Sequence, residues 1–143
     1  MRTKKLTVKE IEYVAFSFAK KLMTWDEPIP AFGTRFPGIL ESCIENPFVQ
    51  FDGKDLYRGL IGKASILFYL LIKNHPFQNR NKRIAVMTIF YLFHKNKKWI
   101  RMSNIDLYNF AKGIAKSRPQ SREKITIQIQ NTLKKYIIPL NKA

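Results

Sequence analysis

Two stretches of the 143-residue chain, Ile66–Ile72 and Ile84–Phe93, are apolar nearly all the way round a helix. Helices of that kind belong at the centre of a bundle. The remaining periodic segments have one apolar stripe each. Thr7 and Glu10 form a capping box ahead of Ile11, Val14, Ala15, Phe18 and Leu22, a stripe that Pro28 and Pro30 close. Residues 30–34 read as loop. Pro37 suits the first turn of a short helix through Ile39, Leu40, Cys43 and Ile44, stopped at Asn46-Pro47. Residues 48–51 read as extended, and Asp52-Gly53 is a turn signal for a short flap hairpin. Asp55 is then the expected cap of a long helix ending near Lys73. A second core helix is expected from Asn79 or Arg80 to Asn96. Ser103 with Asp106 opens another, to about Ser117, which Pro119 breaks. From Ser121 a last helix aligns Ile125, Ile129, Leu133 and Tyr136 or Ile137, although β-branched Ile125, Thr126 and Ile127 oppose it. The prediction is an all-α single domain over residues 1–143, with about six helices.

Composition adds bounds. Apolar residues make up 45% of the chain, enough for a sizeable core. No apolar stretch reaches the roughly 18–20 residues that cross a bilayer, and the basic N-terminus lacks a signal-peptide pattern. The lone Cys43 allows no internal disulfide and reads as a small buried residue. A cytoplasmic protein is expected. The net charge of +16 suits acidic partners: nucleic acid, nucleotide, acidic protein or an anionic surface. Nucleic acid has only the charge in its favour, because nothing reads as a recognition module and the core helices are too apolar to enter a groove.

The polar loop between the two core helices carries the chemistry. Arg80, Lys82 and Arg83 fall at the expected N-terminus of the second core helix. The helix dipole is positive there, so added cations cost roughly 0.3–1 kcal/mol each when exposed. Such stacking makes sense if an anion fills the site, since helix N–H groups with Arg and Lys form a phosphate cradle. His75 precedes it, and a histidine takes or gives a proton at cellular pH. Phe77 is expected to anchor the loop by burying its ring. His94, near a helix C-terminus, reads as structural, and Trp25 and Trp99 as packing anchors.

The run His75, Phe77, Asn79, Arg80, Asn81, Lys82, Arg83 resembles the signature of the Fic/Doc family, His-x-Phe-x-Asp/Glu-Gly/Ala-Asn-Gly/Lys-Arg. Lys82 at the eighth place, with Val86 rather than a second Arg further on, resembles the death-on-curing (Doc) branch. The segments 38–42, 51–57 and 63–75 are also similar to that branch, so the resemblance covers roughly residues 5–115. It implies a toxin-like transferase that moves a phosphoryl or nucleotidyl group from ATP, or another nucleoside triphosphate, to a hydroxyl of a target protein. The branch phosphorylates a threonine of elongation factor Tu, which makes that factor the implied target. By motif match His75 would be the general base and Asn79 the Mg²⁺ ligand. Arg80, Asn81, Lys82 and Arg83 would surround the phosphates, and the flap over residues 49–54 would present the target. The family's inhibitory Ser/Thr-x-x-x-Glu-Gly/Asn pattern is missing, as Ser42-Cys-Ile-Glu45-Asn46 is one residue short. A separate antitoxin with an acidic segment is therefore the expected partner.

Two positions depart from the family pattern. Asn79 stands in place of an acidic ligand and should weaken Mg²⁺ binding. Arg80 stands where Gly or Ala leaves room for phosphate, so it either blocks the pocket or supplies charge in the metal's place. The alternative to a transferase is a catalytically degenerate Fic/Doc-like binding protein.

Overall fold

The computed structural model describes residues 2–17, 21, 32–36, 38–78 and 80–142. Its centre is the pair of apolar helices expected from the sequence, α3 (Gly59–Lys73) and α4 (Asn81–Lys95), packed against each other. Every residue from Gly62 to Ile72 in α3 is buried, as are Arg83–Phe90, Leu92 and Phe93 in α4. Before them come α1 (Val8–Glu10), continued by a wider π-type turn over Ile11–Phe16, and α2 (Ile39–Glu45). After them come α5 (Asn104–Lys116) and α6 (Arg122–Tyr136). α6 lies on α3, with Ile129 and Leu133 buried, while α5 lies on α4 with Leu107, Ala111 and Ile114 buried. The all-α expectation holds. No described helix is long and apolar enough to cross a membrane.

Several local expectations also hold. Thr7 and Glu10 form a complete capping box, and Ser103 Oγ accepts from the Asp106 N–H at 3.1 Å. Asn46–Phe48 forms a 3₁₀ turn that ends α2. Strands β1 (Gln50–Phe51) and β2 (Lys54–Asp55) make the flap hairpin. Asp52 and Gly53, at φ 55° and 76°, supply its two-residue turn. Cys43 is fully buried, which pushes its thiol up to about 11. Of the predicted first stripe, Ile11 is buried; Phe18, Leu22, Trp25, Pro28, Pro30 and Pro37 lie outside the described residues.

Two expectations are corrected. Asp55 does not cap α3: it sits in β2, and Arg58 precedes the first turn without a side-chain bond. The chain also forms a second strand pair that was not predicted, β3 (Lys98–Ile100) with β4 (Ile137–Pro139). The β-branched Ile137-Ile138 is drawn from the end of α6 into that pair. His94 is exposed near the end of α4, edge-on to Trp99, whose ring also meets Phe90 at 5.1 Å.

The N-terminal segment is fixed to the end of α4 by polar contacts. Asn96 bonds both the N–H and the carbonyl of Lys4, at 2.7 and 3.0 Å. Glu10 accepts from Lys95 Nζ at 2.6 Å and Tyr91 Oη at 2.9 Å, as well as from the Thr7 N–H. Burial alone would raise the Glu10 pKa; the bonds from Lys95, Tyr91 and Thr7 outweigh it and hold the carboxyl below its ordinary 4.5. Its stabilising effect is therefore complete above that value and lost as pH falls through the lowered one. Glu10→Gln is expected to reduce the unfolding free energy at pH 7 by about 1–2 kcal/mol. In urea melts the gap to wild type should close as pH falls below 4.5. A gap that stays constant over that range would contradict this assignment.

Candidate active site

The loop from α3 to α4 turns on Asn81, the first residue of α4, which is 6% exposed. Its Oδ1 accepts from the Phe77 N–H at 2.9 Å, and its Nδ2 donates to the Phe77 carbonyl at 3.0 Å. The side-chain amide thus pairs with the Phe77 main chain as a neighbouring strand would. Phe77 is 1% exposed, with Phe32 at 5.9 Å between ring centroids. The Phe36 N–H donates to the Pro76 carbonyl at 2.9 Å, lacing the residues before α2 to the same loop. Phe77 anchors the loop as expected.

These ties hold two residues in the left-handed region, His75 at φ 50° and Arg80 at φ 62°. Outside glycine each costs of order 1–3 kcal/mol and persists only where its surroundings impose it. Arg80 thereby takes the position before α4, which begins at Asn81, one residue after the later of the two expected starts, and its carbonyl accepts from the Ile84 N–H. The family pattern's Gly at this place suits that conformation.

The clamp also fixes the chemistry of His75. Because Phe77 sets which way the Asn81 amide faces, Nδ2 is the atom lying 3.4 Å from His75 Nδ1. A donor faces Nδ1, so the neutral ring keeps its lone pair there and its proton on Nε2. His75 is exposed, with room for a substrate to approach.

The structure brings the expected cations to one helix end but at different depths. Lys82 and Arg80 are half-buried, while Arg83 is 1% exposed. The N–H groups of Asn81, Lys82 and Arg83 leave the N-terminal end of α4, where the dipole favours an anion. Asn79 lies outside the described residues. Residues 74–83 hold no carboxylate, and among the described residues no group of three or more His, Cys, Asp or Glu could hold a metal. Mg²⁺ takes oxygen ligands, usually one or two carboxylates with substrate phosphates. This cationic donor set does not fit a protein-held Mg²⁺.

The flap is exposed along its length. Val49, Phe51 and Leu56 are 39%, 79% and 58% exposed. One polar residue behind it escaped the sequence reading: Lys63, 4% exposed inside α3. The signal was a cation within an otherwise apolar helix, eight residues after Asp55.

No curated protein and no solved structure matches the chain. A family model described as Fic/DOC family matches residues 8–93, from the first residue of α1 to the last turns of α4. That match spans more than half of the chain and contains the flap, α3, the loop and α4 as far as Phe93, and the chain belongs to the Fic/DOC family.

Proposed function

We propose that this protein transfers a phosphoryl or nucleotidyl group from a nucleoside triphosphate to a hydroxyl of a target protein. The observation that carries the reading is the Asn81 clamp, which joins His75 to the N-terminal end of α4 in a single braced loop. Lys82, Arg83 and the first N–H groups of α4 hold the phosphate charge, and Arg80 adds to it. Asn81 serves the phosphates through the loop it shapes. The cations supply the charge neutralisation that a metal gives elsewhere in the family, and any Mg²⁺ arrives with the triphosphate.

In the reaction the target's hydroxyl oxygen attacks phosphorus and forms a new P–O bond. A phosphoanhydride bond breaks, releasing nucleoside diphosphate for attack at the γ position or pyrophosphate for attack at the α position. His75 takes the hydroxyl proton at Nδ1, the nitrogen that keeps its lone pair, once the 3.4 Å contact to Asn81 opens. The target is held as an extended segment along the open edge of the flap, where backbone pairing gives affinity. Elongation factor Tu is the candidate target. The charge of +16 favours an acidic antitoxin.

A second reading, a catalytically silent binding protein, is favoured by Arg80, a bulky side chain at φ 62° where the family pattern has Gly or Ala. Wild-type protein incubated with a cell lysate and ATP labelled at the α or γ phosphate separates the two. Label in a protein band is expected with wild type, and the labelled position identifies the transferred group. His75→Ala should reduce it by about 10²-fold or more. No band with wild type, or equal label with the variant, would sink the transferase reading. If activity appears only in Asn79→Asp/Arg80→Gly, the second reading holds. Lys82→Ala is expected to raise the KM for ATP by roughly tenfold or more, as loss of a charge-assisted phosphate contact would. An unchanged KM would remove Lys82 from the cradle.

A further inference from the structure

We propose that Lys63 is the positioning residue of the flap, holding both roots of the hairpin from inside α3 so that a bound target segment lies at a fixed height over the α3–α4 loop. The second half of this statement rests on the transferase reading above. A buried ammonium is stable only when its donors are satisfied. Lys63 Nζ donates to Asp55 Oδ2 at 2.9 Å and to the Tyr57 carbonyl at 2.6 Å, and lies 5.6 Å from the centre of the Phe48 ring. Phe48 is in the turn that leads into the flap, while Asp55 and Tyr57 are in the segment that leads out. One charge therefore meets both ends of the hairpin.

The contact continues across the strands. Asp55 Oδ1 accepts from Gln50 Nε2 at 3.0 Å, and Gln50 and Asp55 are paired in register. The bonds from Lys63 and then Gln50 hold the Asp55 carboxyl below its ordinary range, keeping it ionised. Among the described residues the hairpin itself has two residue pairs and one further backbone bond, from the Leu56 N–H to the Val49 carbonyl, and its apolar side chains are exposed. A two-stranded hairpin is marginal by itself in water, so its placement depends on the Lys63–Asp55–Gln50 chain.

Replacing a buried charge by an apolar side chain of similar volume is tolerated by many cores. Lys63→Met leaves Asp55 in solvent, and Asp55→Asn retains shape without the charge. Both variants, their double and wild type are compared by amide hydrogen exchange in the full chain. Flap amides 50–56 should exchange about tenfold faster in each variant, with the double no worse than the singles and α4 amides unchanged. In the labelled-ATP assay the lysate concentration giving half-maximal transfer should rise about fivefold or more, while the KM for ATP stays constant. Unchanged flap exchange overturns the latch, whether or not transfer occurs. Faster flap exchange with unchanged half-saturation overturns its role in target engagement. Absence of transfer by wild type overturns the proposed function instead, and hydrogen exchange alone then decides the latch.

Discussion

The paired hydrogen bonds between the Asn81 amide and the Phe77 main chain set the terms for the rest of the site. A short link between two core helices has to reverse direction, and at Pro76 and Phe77 it does so in buried surroundings. Asn81 satisfies Phe77 there, and the Phe77 ring fills the core beside it. With those two residues fixed, the strained backbone of His75 and Arg80 is held rather than relaxed. The same amide orients toward His75 Nδ1, so one side chain shapes the loop, starts the helix and sets the ring's tautomer.

Charge at this end of α4 runs against the helix dipole. The helix begins with Asn81, Lys82 and Arg83 and has no acidic residue in its first turn. Among the other described helices, α1, α2, α5 and α6 carry acidic residues in their first turns, and α3, α5 and α6 carry basic ones in their last turns. α3 also lacks an acidic first turn, but in α4 Lys82 and Arg83 stand there, within the family signature. The flap shows a related trade, because Lys63 is a charge placed among apolar residues and turned toward a hairpin that buries little itself.

Much of this was legible in the sequence because it depends on local patterns. The continuous apolar runs marked α3 and α4 as the core, Thr7 and Ser103 marked helix starts, and Asp52-Gly53 marked the flap turn. The positive charge at the start of α4 was legible as a departure from the helix dipole. What escaped depends on contacts distant along the chain. The β3–β4 pair joins residues nearly forty apart, and periodicity within either segment does not disclose it. Asp55 resembled a cap, yet its partners lie across the hairpin and inside α3. Arg83 belonged to the motif, while its burial as the third residue of a central helix became visible only in the fold. Asn81 belonged to the motif, while its bonds to Phe77 became visible only once the loop was folded.

The central claim is that the Asn81-braced loop makes the N-terminal end of α4 a phosphate site. The most direct test is an NMR titration of the full chain with ATP, following backbone amides in wild type and in Asn81→Ala. Saturable shifts centred on Asn81, Lys82 and Arg83 are expected in wild type, with affinity lower by about tenfold or more in the variant. Shifts centred elsewhere, or equal affinity in a folded Asn81→Ala, would contradict it.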